Sequence, residues 1–152
     1  MNDALNIPSR DDIDVYHSLD ELSAVANFVG KSQKEAETLF QENSHLDDLL
    51  FMGPKAFVFY LTAAVNYVVS EASAGDNSIL SGMLIVLSHR AESGFDILND
   101  DVIRLVDFVL ENYARFEVDE TIYGDLRAQF QDLNARLSEE LVARAGSIQQ
   151  DG

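Results

Sequence analysis

The chain has 152 residues, the size of one ordinary domain, and carries 27 acidic against 10 basic residues for a formal net charge of −17. A small domain usually stays within a magnitude of about 8. So negative a field works against nucleic acids and anionic membranes, whose binding rests on cationic contacts, and favours a basic protein partner. The absence of cysteine excludes disulfides and thiolate metal sites and fits the cytosol.

Residues 1–17 read as a flexible acidic arm, because Pro8 and the run Asp11-Asp12-Ile13-Asp14 oppose a regular element. Residues 18–146 read as one all-α domain and 147–152 as a frayed tail. Ser18-x-x-Glu21 forms a capping box. Leu19, Leu22, Val25, Ala26 and Val29 then recur at helical spacing up to Gly30. Ser32-x-x-Glu35 repeats the signal ahead of Ala36, Leu39 and Phe40, and Ser44 opens a third, short helix with Leu46, Leu49, Leu50 and Phe51.

Gly53-Pro54 stops and restarts the chain, since proline suits the first helical position. Lys55 to about Ser73 is apolar on nearly every face, as expected of a helix surrounded by others. Ser78 to Glu92 follows as a second buried helix. Asn99 caps the next helix, with Asp100 and Asp101 in its first turn and Val102, Leu105, Val106 and Val109 beyond. Asp119 or a neighbour opens the last helix, where Ile122, Leu126, Phe130, Leu133, Leu137 and Leu141 form a narrow stripe interrupted by Gly124. These signals predict a bundle of about seven helices around two buried central ones.

No secretory pattern stands at the start of the chain, and Ala56–Val69, broken by Thr62 and Asn66, is shorter than the roughly 20 apolar residues of a spanning helix. A cytoplasmic protein is the expectation. His45-x-Asp47-Asp48 reads as the exposed first turn of a helix, and His89-Arg90 as cations at a helix C-terminus. Asp12-Ile13-Asp14 resembles a D-x-D pattern but lacks an α/β surrounding. No nucleophile elbow or phosphate-binding glycine loop occurs. Neither catalysis nor a cofactor is expected.

The acids concentrate in two stretches. Asp11, Asp12 and Asp14 lie in the arm; Asp100, Asp101, Asp107, Glu111, Glu117, Asp119 and Glu120 lie between residues 95 and 125. Helix N-termini account for several, and the whole set is the candidate partner-binding surface.

The stretch Phe51-x-Gly53-Pro54-x-Ala56-Phe57-x-Phe59-Tyr60-Leu61-x-Ala63 resembles a segment of small uncharacterised bacterial all-helical proteins, in which Pro-x-Ala-Phe and Tyr-Leu-Pro-Ala open a central helix. Thr62 stands here in place of the second proline. In size and charge the chain is also similar to immunity proteins, which neutralise bacterial toxins. That likeness implies a non-enzymatic inhibitor docking on a basic toxin domain. The alternative is a structural or adaptor protein whose acidity serves solubility, with a homodimer formed through the last helix.

Overall fold

The structure, a computed structural model, describes residues 7–43 and 45–151. Among these it is all-helical, with no strand: α1 Arg10–Ile13, α2 Leu19–Phe28, α3 Gln33–Asn43, α4 Pro54–Val68, α5 Asn77–Glu92, α6 Asp100–Asn112, α7 Glu120–Tyr123 and α8 Leu126–Asp151. Short 3₁₀ segments at Leu46–Phe51, Glu71–Ser73 and Tyr113–Phe116 join them.

The caps explain the boundaries. Ser18 and Glu21 satisfy each other's backbone N–H at the start of α2, and Ser32 and Glu35 do so at α3. Asp76, rather than Ser78, caps α5. Asn99 accepts from the Asp101 N–H at α6. Asp119 caps only the single turn of α7, because Gly124 breaks the rod before α8 begins. Ser44 lies outside the described residues, and the short helix expected to follow it is the 3₁₀ segment 46–51.

α4 is the centre. It packs against α1, α3, α6 and the 46–51 segment, and Ala56, Phe57, Tyr60, Leu61, Ala63, Ala64, Val65, Tyr67 and Val68 are buried along it. α5 buries one face only, with Ile79, Leu80, Met83, Val86 and Leu87 inside and Ile85 exposed. α8 lays Leu126, Phe130, Leu133 and Leu137 against α6 and α5. The buried side chains form one continuous core.

Two buried tyrosines find the partners that their hydroxyls need. Tyr60 OH donates to Phe28 O (2.7 Å) and Lys31 O (2.8 Å), closing the end of α2. Burial, with Glu35 nearby, pushes the Tyr60 hydroxyl up to about 12. Tyr67 OH donates to Asp76 Oδ2 at 2.7 Å.

The flexible arm expected over residues 1–17 is replaced, where described, by packed structure. Ser9 and Asp12 make a capping box for α1, and Ile13 is fully buried. Gly53 N donates to Ile13 O at 3.1 Å. Pro8 is buried as well, so the proline and one apolar residue among the aspartates dock the segment. Residues 1–6 and Gly152 lie outside the described residues, and the tail's backbone continues α8 to Asp151.

Candidate protein-binding surface

One acid from each stretch, Asp12 and Asp101, meets the same outward stripe of α4. Lys55, Val58, Thr62 and Asn66 share one helical face by their spacing. Asp12 Oδ2 lies 3.6 Å from Lys55 Nζ. Thr62 Oγ1 donates to Asp101 Oδ2 at 2.6 Å, and Arg104 Nη2 bridges Asp101 Oδ1 (3.0 Å) and Asn66 Oδ1 (2.8 Å). Lys55 and Thr62 are two turns apart, roughly 10 Å along the axis. Val58, 44% exposed, stands between them.

Beside Val58 opens a concavity of about 160 Å³ lined by Pro54, Phe57, Val58, Arg90, Ser93, Gly94 and Phe95. Phe95 meets Phe57 edge-on with centroids 4.9 Å apart. The Arg90 guanidinium sits 4.4 Å from the Phe57 ring centroid and donates to Leu49 O and Met52 O. Arg90 was expected to serve its own helix end. It instead reaches across to the carbonyls that end the 46–51 segment.

Of the three candidate acids before α2, Asp11 alone is exposed. Asp12 is engaged by Ser9 and Lys55; its capping contact with the Ser9 N–H, together with Lys55, holds its carboxyl below the ordinary range despite some desolvation. Asp14 is buried; its Oδ2 lies 3.1 Å from His17 Nδ1, and its Oδ1 has no hydrogen-bond partner. On α6, Asp100, Asp107 and Glu111 are exposed and share a face with Arg104, while Asp101 is partly covered. Glu117, Asp119 and Glu120 are exposed beyond the end of α6, in a loop anchored to the start of α5 by Asn77 Nδ2 donating to Glu117 O at 3.1 Å. Asp119 also serves α7: Thr121 donates to it by side chain and backbone, and these bonds lower its pKa.

Two buried acids escaped sequence reasoning. Glu21 is not only a cap. Its carboxylate accepts from the N–H groups of Val15 (2.8 Å), Tyr16 (3.0 Å) and Ser18 (3.0 Å) and from Ser18 Oγ (3.0 Å). Burial raises its pKa, but the hydrogen bonds from Tyr16, Ser18 and Val15 outweigh that and hold it below the ordinary value. Asp48, expected on an exposed turn, is buried and accepts from Ser23 Oγ (2.8 Å) and Asn27 Nδ2 (2.7 Å), tying α2 to the 46–51 segment. The hydrogen-bonding residues Ser23 and Asn27, four apart on one helix face, are the sequence signal for it.

Among the described residues no group of three or more histidines, aspartates and glutamates is placed to hold a metal, and no helix is long and apolar enough to cross a membrane. The spacing Glu42-x-x-His45 occurs once, whereas a carboxylate-bridged di-metal bundle draws on two such pairs. His45 Nδ1 instead lies 4.0 Å from Asp48 Oδ2.

No protein-family model matches the chain, and comparison with curated proteins and with solved structures gave no match either.

Proposed function

We propose that this chain is a non-enzymatic binding protein that docks on a basic protein, in the manner of an immunity protein or antitoxin occupying a cationic toxin domain. One observation carries the reading: α4 holds one acid from each stretch, Asp12 and Asp101, along one side, with an apolar-walled concavity beside Val58. Acids at the rim steer a cationic partner and set its orientation, while apolar contacts at the centre supply most of the affinity. Asp11, Asp100, Asp107 and Glu111 are the exposed acids available for steering; Asp12 and Asp101 are occupied by internal contacts and shape the rim.

The adaptor reading, with a homodimer through the last helix, has less support. Leu126, Phe130, Leu133 and Leu137 of the stripe are spent within the chain, and among the described residues Ile122 and Leu141, its two ends, and the neighbouring Val142 are exposed.

Co-expression with any basic protein encoded beside the gene tests the proposal. A co-purifying partner whose association rate falls steeply with ionic strength, and falls again in the Asp100→Asn/Asp107→Asn/Glu111→Gln variant, is the expected outcome. Binding indifferent to salt would remove the electrostatic basis of the reading.

A further inference from the structure

Resting on that reading, we infer that the loop 15–18 and the outer face of α2 form the apolar anchor of the docking surface, received by an apolar patch ringed with lysine or arginine on a basic partner. Tyr16 is 81% and Leu19 85% exposed, and Val15, Leu22 and Phe51 are 41%, 47% and 39% exposed. Scattered exposed apolar side chains are ordinary; a tyrosine and two leucines within one loop and the helix turn that follows it are a patch. Large, stiff side chains of this kind, tyrosine above all, are those that dominate interface energetics.

The patch is continuous with the surface described above. Val15 lies against Gly53, immediately before the Pro54 wall of the concavity.

The loop is held before any partner arrives. Glu21 binds the backbone N–H groups of Val15, Tyr16 and Ser18, Asp14 engages the His17 ring, and His17 keeps a left-handed backbone with φ of 56°. An anchor already ordered forfeits little conformational entropy on binding.

Charge complementarity selects the occupant. Asp11, Asp20 and Asp47 are exposed on the segments that carry the patch, and no lysine or arginine occurs from residue 11 to residue 30 or from 45 to 54. A second copy of this chain would bring like charge against like, which disfavours self-association there.

Panning a random-peptide display library on the full chain, then synthesising the enriched peptides as probes, tests the inference. The expected consensus pairs basic with aromatic or aliphatic residues. Tyr16→Ala and Leu19→Ser are each expected to weaken the peptides by about tenfold, whereas Asp132→Asn/Glu139→Gln, exposed on α8, changes affinity much less. Both anchors are exposed, so the variants are expected to melt as wild type, and Leu22→Ser is a third, independent probe. Basic peptides that ignore all three apolar substitutions overturn the anchor while leaving the basic-partner reading in place. A neutral or acidic consensus overturns both. Sedimentation of a dimer that Leu19→Asp splits would assign the patch to a second copy and likewise overturn the inference.

Discussion

At the scale of single residues, the most consequential side chain is Glu21. It is almost fully buried, yet its charge is matched by three backbone N–H groups and a hydroxyl. Hydrogen bonds to a charged acceptor are each worth about 1.5–3 kcal/mol, and losing one leaves a buried donor unsatisfied. Glu21→Gln replaces one acceptor oxygen with a donor facing donors, and is expected to cost about 3 kcal/mol in a denaturant titration. The pH dependence follows from the lowered pKa. A carboxyl whose folded pKa lies below its unfolded one binds more protons when unfolded, so its stabilisation is full above the ordinary value of 4.5 and is lost as pH falls through the folded value. The stability gap between wild type and Glu21→Gln is therefore expected to narrow as the titrations are taken from neutral pH to below the ordinary glutamate value. A gap that stays constant would mean the variant acts through packing alone. The capping half of this role was legible as Ser18-x-x-Glu21. The clamp on residues 15 and 16 was not, because the pattern names a helix start and carries no information about how the preceding chain folds back.

At the scale of elements, close approach decides where α1 and α5 sit. A Cβ built on Gly53 would lie 2.3 Å from Asp12 O and 2.4 Å from Val15 Cγ2, and one on Gly82 would lie 2.6 Å from Leu46 Cδ1. Neither glycine is merely a break in a pattern. Gly53→Ala has a rigid carbonyl to displace and is expected to destabilise the chain by about 3 kcal/mol, the upper range for overpacking; Gly82→Ala meets only the end of a leucine and is expected to cost less. Thermal melts of the two variants give the comparison, and equal costs would refute the distinction. Arg90 is the other device at this scale. It supplies donors to Leu49 O and Met52 O from a different helix, so Arg90→Met strands two carbonyls and is expected to cost about 2–4 kcal/mol. Arg90→Lys is expected to recover little, because a lysine lacks the planar fork and the stacking on Phe57. The helices themselves were readable from caps and periodicity, since both signals are local. Crossings such as Gly53 on α1 and Arg90 on the 46–51 segment join residues about 40 positions apart, and nothing in a single sequence announces that distance.

At the scale of the whole molecule, the acidic excess has a cost that can be measured. Among the described residues three acids, Asp14, Glu21 and Asp48, are buried, and two cations, Arg90 and Arg115, turn inward to main-chain oxygens. These withdrawals nearly offset each other, so the surface keeps almost the full imbalance of the sequence, −17. Compaction brings like charges together and opposes folding. The Lys/Arg attractions available to offset this among the described residues are few: Lys55 with Asp12 at 3.6 Å, Arg104 with Asp101 at 3.0 Å, and Arg144 with Asp96 at 2.8 Å and Glu140 at 3.7 Å, and pairs so open to water contribute little. Added salt screens both, but repulsion is summed over many pairs at longer range, where screening acts most strongly. Raising sodium chloride from about 0.05 to about 0.5 M shortens the screening length several-fold. At pH 7 the melting temperature is then expected to rise by about 3 °C, corresponding to about 1 kcal/mol for a chain of this length. A melting temperature that falls with salt would show that the ion pairs outweigh the repulsion. The same field that costs stability in isolation is the one that would be neutralised by a basic partner, so the salt-dependent gain should shrink once such a partner is bound. Melting the complex across the same salt range therefore links the molecule's stability to its proposed function: a gain that persists undiminished in the complex would place the partner away from the acidic surface.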